Sequence, residues 1–218
     1  MRNLRVLEKR EAAPDLRQRL CAAVRNLGAQ GWCQGTCGNF SAVLSRDPLK
    51  LLVTRSRIDK RRLEVEDLIV VGPDGEPVPG SAGAASAETV LHCRIVALTG
   101  ATSVLHIHSV PDTLLGAHFA GRGGFVLSGF EMLKGIAGVT SHEEEVFVPV
   151  LRNSQDMARL ADEVAHVVTH RPGLYGFLLA GHGLYAWGDS VEQARRHVET
   201  LEFLFECVAR RVPFEPFT

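Results

Sequence analysis

The sequence predicts an α/β protein in three layers, with a central, mainly antiparallel sheet flanked by helices. Helical and strand-like patterns alternate along the 218 residues, and hairpin signals occur among them. This mixture is more typical of an antiparallel sheet covered by helices than of a doubly wound parallel sheet. With 45% hydrophobic residues the chain can bury one sizeable core. We therefore expect a single domain over residues 1–218, with residues 1–14 as a flexible N-terminus.

The first half of the chain is predicted to be one helix followed by β structure. Apolar residues repeat at helical spacing over residues 16–27, and the pattern stops at Gly28. A glycine-containing loop, residues 35–41, leads into a strand, and residues 50–54 form a second strand. Residues 68–78 predict a hairpin, because two apolar segments flank a Gly-Pro-Asp-Gly turn.

The second half alternates helices and buried strands. Helices are predicted over residues 87–98 and 156–169. Ser190 and Gln193 predict a capping box for a long final helix. The buried stripe of that helix is expected to be Val191, Ala194, Val198, Leu201, Phe205 and Val208. Strands are expected at residues 103–108, 146–151, 177–180 and 184–187.

Composition excludes several classes of protein. A net charge of −1 with scattered Lys and Arg argues against a nucleic-acid partner. Residues 1–14 lack the apolar core of a signal peptide, and no segment approaches the ~18 apolar residues of a membrane span. We therefore expect a soluble, cytoplasmic protein without a membrane partner. Cys33 and Cys37 lack a second pair that would complete a metal site, so all five cysteines are expected to be reduced thiols.

Three histidines predict a metal site. His106 and His108 are two residues apart, so on a strand their side chains share a face. His182 follows another apolar segment and lies between two glycines, where the backbone can turn sharply. Three neutral imidazoles would bind Zn²⁺ or a similar divalent ion and leave a position open, as in catalytic sites. We expect ordinary surface or core positions for His92, His118, His142, His166, His170 and His197.

Two carboxylates are candidates for acid–base chemistry. Glu131 lies in an otherwise apolar segment, where a charge is costly unless it is paired or functional. Glu88 opens a predicted helix, where the helix dipole alone would favour a carboxylate. An exposed loop position is the alternative for Glu131. His92 lies four residues after Glu88 and is close enough on the helix to support it.

These motifs together resemble the class II aldolase/adducin family, over residues 16–211. The resemblance rests on residues 86–92, 106–108 and 181–183. Residues 130–135 and 181–188 further resemble the branch that dehydrates a methylthio-substituted ketose 1-phosphate in methionine salvage. The resemblance implies an antiparallel sheet flanked by helices, a cyclic homotetramer with sites near subunit interfaces, and phosphorylated sugar substrates. It also implies one Zn²⁺ held by the three histidines.

The resemblance also assigns roles to polar residues. Glu88 matches the acid/base position of the aldolases and Glu131 that of the dehydratases, so Glu131 is our first choice. Three segments are expected to converge on the substrate phosphate, since glycine loops and helix N-termini attract anions. Taken singly, their residues have simpler explanations, such as a turn residue or a helix cap. The candidate phosphate ligands are Asn39, Thr54, Ser56 and Ser86, with Lys60 as an added charge.

Dehydration places defined demands on such a site. A divalent ion that binds two adjacent oxygens of a ketose makes the proton on the neighbouring carbon acidic. A base must then take the C3 proton and an acid must help the C4 hydroxyl to leave. An aldolase or epimerase acting on another sugar phosphate is the main alternative. A non-catalytic scaffold like the adducin head is a third, although a scaffold has no need for His106, His108 and His182.

Overall fold

The computed structural model describes residues 15–212, so the predicted flexible N-terminus lies outside the described residues. Eight strands form one sheet in the order β3-β2-β1-β4-β8-β7-β6-β5. The strands are β1 (Asn39–Arg46), β2 (Leu49–Thr54), β3 (Leu68–Val71), β4 (Ser103–Ile107), β5 (Gly124–Leu127), β6 (Val146–Leu151), β7 (Gly176–Leu179) and β8 (Leu184–Gly188). The helices are α1 (Leu16–Ala29), α2 (Thr89–Thr99), α3 (Val110–Phe119), α4 (Met157–His170) and α5 (Val191–Ala209).

The sheet is mainly antiparallel, as predicted. Among the strands of residues 15–212, only β6 and β7 pair in parallel, and every other neighbouring pair is antiparallel. Helices cover both faces, because one apolar cluster unites the sheet with α1, α3 and α5, and a second unites it with α2 and α4. The three-layer α/β fold is therefore confirmed. No helix within residues 15–212 is long and apolar enough to cross a membrane.

Strand periodicity decides which side chains meet beneath α2. On β4, Leu105 and Ile107 enter the cluster of α1, α3 and α5, whereas Val104 faces α2 and α4. His106 therefore points to the face covered by α2, since successive strand residues alternate. Tyr185 of β8 lies on that face too and is the register partner of His106.

Several predicted boundaries shift in the structure. Helix α2 begins at Thr89 with Glu88 at its N-cap position, so Ser86 lies before the cap, and its Oγ accepts from the Glu88 N–H at 3.3 Å. Ser190 caps α5 as predicted, but Gln193 accepts from the Asp189 N–H, so the capping box is incomplete. The predicted hairpin of residues 68–78 has a first strand, β3, and a turn, but its second arm contributes only an isolated bridge between Val71 and Pro77. There Pro77 has no N–H to continue a ladder.

Two elements were not predicted. Helix α3 begins just after His108, with the Ser109 side chain accepting from the Asp112 N–H and Pro111 in its first turn. Strand β5 is four residues long and pairs with β6 at the edge of the sheet. Both are short, so their apolar periodicity is weak. The five cysteines, all within the described residues, are free thiols.

Candidate active site

Three imidazoles converge where β4 ends beside the turn between β7 and β8. The Nε2 atoms of His106 and His108 are 2.8 Å apart, and His182 Nε2 lies 3.3 Å and 3.1 Å from them. Two nitrogen ligands of a tetrahedral Zn²⁺ are about 3.3 Å apart, given Zn–N distances of about 2.0–2.1 Å. The structure thus brings the three predicted ligands together in a group that could hold a metal ion.

Glycine allows the His182 turn to approach β4. A Cβ atom at Gly183 would lie 2.1 Å from the Ile107 carbonyl oxygen and 3.2 Å from atoms of both His106 and His108. Gly181 has a φ of 62°, a conformation that favours glycine. The two glycines flanking His182 therefore serve different purposes, one for the turn and one for close contact.

The environment keeps these imidazoles neutral. Burial, and then the neighbouring His108 and His182, place the pKa of His106 well below its ordinary value. Burial, assisted by His182 and Lys60, lowers the pKa of His108 to about 4. His106 Nδ1 lies 2.9 Å from the Leu184 carbonyl oxygen and so donates its proton there, which leaves a lone pair on Nε2. Nitrogen lone pairs that face one another suit a cation, so the donor set fits a divalent metal.

Tyr185 supports His106 from behind. Its ring stacks on the His106 ring with centroids 3.9 Å apart and planes at 15°, and Phe177 stacks on its other side at 5.1 Å. The Tyr185 hydroxyl is buried and has no hydrogen-bond partner among the described residues. Sequence reasoning missed this residue, because its contact with His106 depends on the register of β4 against β8.

Glu88 lies beside the imidazoles. One carboxylate oxygen is 3.2 Å from His182 Nε2, and the other is 3.8 Å from His106 Nε2. The side chain is 20% exposed, so it borders the open side of the group. Asn39 Nδ2 donates to Glu88 Oε2 at 2.7 Å. A carboxylate in this position can exchange a proton with a molecule bound at the three histidines.

Glu131 lies elsewhere on the surface. It begins a short 3₁₀ turn, Glu131–Gly135, and its side chain is 72% exposed. Lys134 Nζ donates to it at 2.7 Å, which lowers the pKa of Glu131, and His142 Nδ1 is 3.8 Å away. Within the described part of the chain, no hydrogen bond or ion pair joins Glu131 to the three imidazoles. The Glu131 charge is paired and exposed to water. The sequence-based argument that a charge in this apolar segment must be functional therefore does not apply.

Two of the predicted phosphate ligands lie next to Glu88. Asn39 Nδ2 is 3.5 Å from Ser86 Oγ as well as 2.7 Å from Glu88. The Ser56 N–H donates to the Ala84 carbonyl, so the segment after β2 runs beside the segment before α2. The structure therefore brings the predicted segments close together.

The remaining candidates, Thr54 and Lys60, already have hydrogen-bond partners. Thr54 Oγ1 is buried and accepts from the Phe40 N–H at 3.3 Å. Lys60 is also buried, and its Nζ donates to the Thr36 and Ile58 carbonyls at 3.0 Å each. Burial lowers the pKa of Lys60. In this structure Lys60 fixes the loop before β1.

Fold and site together define an α/β protein with a mainly antiparallel sheet, in which three histidines that could hold a metal ion meet where β4 ends beside the turn between β7 and β8. The profile of the Class II Aldolase and Adducin N-terminal domain matches residues 18–209, and the chain belongs to this family. A methylthioribulose-1-phosphate dehydratase of Picosynechococcus is 42% identical over 92% of this chain and 94% of that protein. One from Pectobacterium atrosepticum is 44% identical over 88% of this chain and 92% of that protein. The predicted resemblance to the dehydratase branch is thereby confirmed.

Solved structures agree on the fold. L-fuculose-1-phosphate aldolase of Thermus thermophilus is 31% identical, with a TM-score of 0.67 over 89% of this chain and 96% of that one. YgbL of Klebsiella pneumoniae superposes with a TM-score of 0.76 over 92% of this chain and 91% of that one. At 24% identity the second likeness concerns the fold alone.

Proposed function

We propose that this chain is a cytoplasmic hydro-lyase of methionine salvage that dehydrates 5-methylthioribulose 1-phosphate to 2,3-diketo-5-methylthiopentyl 1-phosphate. The main support is the similarity to dehydratases at 42% and 44% identity over most of the chain. A carboxylate beside a group of three neutral imidazoles is the site chemistry that such a reaction needs. We further propose that residues 1–218 form one domain and that the protein is a homotetramer.

His106, His108 and His182 are the proposed ligands of one Zn²⁺ per chain. A divalent ion held there would act as a Lewis acid toward the adjacent oxygens of the substrate. The predicted metal content is about one ion per chain. A variant with both His106→Ala and His108→Ala should lose it, as measured by elemental analysis of the purified protein. Equal metal content in the two proteins would refute this assignment. His118→Ala serves as the control, because His118 on α3 is not one of the three histidines whose nitrogens converge.

Glu88 and Glu131 are the proposed acid–base pair, with Glu131 as the main group. Glu88 borders the imidazoles within its own chain. Glu131 is exposed and held ionised by Lys134, so it suits the role of a base that enters the site of a neighbouring chain. Such an arrangement needs the proposed tetramer with sites near its interfaces. The proposed phosphate ligands are Asn39, Thr54, Ser56 and Ser86, with Lys60 as an added charge.

Substitution of each acid tests this assignment. Glu131→Gln should retain metal and bind substrate, yet lose on the order of 10²–10⁴ in kcat, and Glu88→Gln should lose less. If Glu131→Gln kept its turnover while Glu88→Gln was inactive, the aldolase-like assignment of Glu88 would replace ours. Glu143→Gln is the matched control, because Glu143 is an exposed acid in the loop before β6.

Mixed oligomers test whether Glu131 acts between chains. The Glu131→Gln variant and the His106→Ala/His108→Ala variant would be co-expressed with different tags and purified together. If Glu131 serves a neighbouring chain, some sites in the mixture are complete and part of the activity returns. If both groups act within one chain, the mixture stays inactive.

Product analysis separates the dehydratase from the aldolase. The alternative hypothesis, an aldolase, is supported by the position of Glu88 beside the imidazoles and by the 31% identity to L-fuculose-1-phosphate aldolase. With methylthioribulose 1-phosphate we expect a five-carbon diketone phosphate as the only product. Dihydroxyacetone phosphate at a comparable rate would overturn the proposal. Inertness toward this substrate with cleavage of fuculose or rhamnulose phosphate would do so as well.

A further inference from the structure

A row of buried polar side chains runs from Glu88 into the core beneath α2. Asn39 Nδ2 donates to Glu88 Oε2 at 2.7 Å, and Asn39 Oδ1 is 2.5 Å from His92 Nε2. His92 Nδ1 is in turn 2.8 Å from Ser41 Oγ. His92 is 1% exposed and Ser41 is 0% exposed, so water does not compete for these contacts.

We propose that His92 is a positioning residue, which keeps the Asn39 amide nitrogen on the Glu88 carboxylate and thereby holds Glu88 beside His182. This inference rests on the proposed function, because it gives Glu88 a part in catalysis. His92 itself touches none of the three imidazole nitrogens that converge at the site. Its effect passes through one side-chain amide.

The directions of the hydrogen bonds support this role. An ionised carboxylate only accepts, so Asn39 must turn its amide nitrogen toward Glu88 and its oxygen toward His92. His92 Nε2 must then carry the ring proton and donate to that oxygen. Burial lowers the pKa of His92 to about 3, so the ring is neutral. With the proton on Nε2, Nδ1 accepts from the Ser41 hydroxyl at 2.8 Å, a shorter contact than the 3.4 Å from the same hydroxyl to the Val104 carbonyl oxygen.

A turned Asn39 amide would conflict with both neighbours. Its oxygen would face the Glu88 carboxylate, and its NH₂ group would face the His92 Nε2–H. The His92 tautomer therefore selects one of the two amide orientations. Without the imidazole, Asn39 loses the partner of its oxygen and can leave Glu88. Glu88 would then lack the donor that fixes its side chain next to His182.

The strands and α2 fix this arrangement geometrically. Asn39 is the register partner of His106 across β1 and β4, so both residues sit at the same level of the sheet. Glu88 and His92 are one helical turn apart at the start of α2, which places them over that level. Asn39 fills the space between them. The predicted support of Glu88 by His92 is therefore indirect.

The test compares His92→Leu with His92→Gln. We expect His92→Leu to lower kcat on the order of 10- to 100-fold with unchanged metal content, because a slightly misplaced acid slows the reaction. A smaller rise in KM is expected as well, since Asn39 is also a proposed phosphate ligand. His92→Gln retains a donor near the position of Nε2 and should recover part of the loss. Ser41→Ala should give a smaller loss. Cys93→Ala is the control for general weakening of α2, since Cys93 is buried on that helix and bonds elsewhere, to the Gly72 carbonyl.

A double-mutant cycle with Glu88→Gln separates positioning from folding. If His92 acts through Glu88, adding His92→Leu to Glu88→Gln should cost no more than about twofold. A full additional 10- to 100-fold loss would mean that His92 acts by another route and would overturn the proposal. Unfolding temperatures of all variants are measured in parallel. A drop that accounts for the lost activity would also overturn it.

A crystal structure of His92→Leu gives a readout that does not depend on activity. We expect the Asn39 amide to leave Glu88 and the Glu88 carboxylate to move away from His182. An unchanged Glu88–Asn39 hydrogen bond would refute the positioning role even if the protein had no dehydratase activity. Conversely, failure to dehydrate methylthioribulose 1-phosphate would reject the proposed function and leave this structural result to decide the inference.

Discussion

The Asp112–Glu202 pair makes the stability of this protein depend on pH in a direction that one substitution should change. The two carboxyl groups lie between α3 and α5 and are 0% and 3% exposed. Two carboxylates both accept hydrogen bonds, and both Asp112 oxygens and Glu202 Oε1 have no donor among the described residues. The Ser109 hydroxyl and the backbone N–H groups of Ser109 and Leu184 partly offset the rise in these pKa values, and the Glu206 carboxylate adds to it. A proton on one of the two acids resolves the conflict.

The magnitude follows from the pKa of Asp112. Burial raises this pKa from 3.8 to about 6, and burial together with Asp112 raises the pKa of Glu202 well above its ordinary value. A pKa shift of one unit corresponds to 1.36 kcal/mol, so the rise in the pKa of Asp112 corresponds to about 3 kcal/mol in the free energy of unfolding. A raised folded-state pKa means that this stability is fully present below about pH 4 and is lost as the pH rises through about 6. Asp112→Asn removes the ionisable group, so this loss of stability at high pH should disappear, and the new amide can donate to Glu202.

Urea unfolding between pH 4 and pH 8, at one fixed protein concentration, measures this effect. Relative to the wild type, Asp112→Asn should gain about 1–3 kcal/mol in free energy of unfolding at pH 8 and nothing near pH 4. Asp162→Asn is the control, because that carboxylate is 81% exposed and should show no such trend. A constant destabilisation by Asp112→Asn across this pH range would refute the reasoning.

Three further substitutions test individual buried contacts. Tyr185→Phe removes a buried hydroxyl without a partner and should leave thermal stability equal or higher by up to about 1 kcal/mol, with a loss above that value contradicting the assignment. Gly183→Ala places a Cβ 2.1 Å from the Ile107 oxygen and should lower metal content and cost about 2–4 kcal/mol, in contrast to Gly121→Ala, whose Cβ meets nothing within 4 Å. His197→Phe leaves the Ala137 N–H unpaired and should speed its hydrogen exchange; unchanged exchange there would refute this role.

The parts of the site that could be predicted from sequence are those encoded locally. His106 and His108 share a strand face because side chains alternate, and His182 needs its glycines because the turn is tight; both features are visible in a few consecutive residues. Sheet type followed from hairpin signals for a similar reason. Likewise, the spacing of Glu88 and His92 placed both at the start of one helix.

The parts that could not be predicted depend on pairing between distant segments. Tyr185 meets His106 through the register of two strands, and Asn39 meets Glu88 and His92 through another strand pair and a helix. Asp112 was hidden in a helix that the sequence did not predict, so its pairing with Glu202 was hidden as well. Short-range patterns carry little information on such contacts, because register and packing are set by the whole sheet.

The contrasting positions of the two acids bear on how one fold supports different reactions. Asn39 and His92 hold Glu88 at the level of the three imidazoles, so any reaction at those imidazoles proceeds next to it. Glu131 sits on an exposed 3₁₀ turn that is held mainly by contacts with α5, among them a close approach of Gly135 to Thr200. If Glu131 serves a neighbouring chain as proposed, substitutions in this turn can alter which bond breaks without disturbing the metal ligands. The outcome of the reaction would then be set at the subunit interface, and the metal site would supply the activation common to dehydration and aldol cleavage.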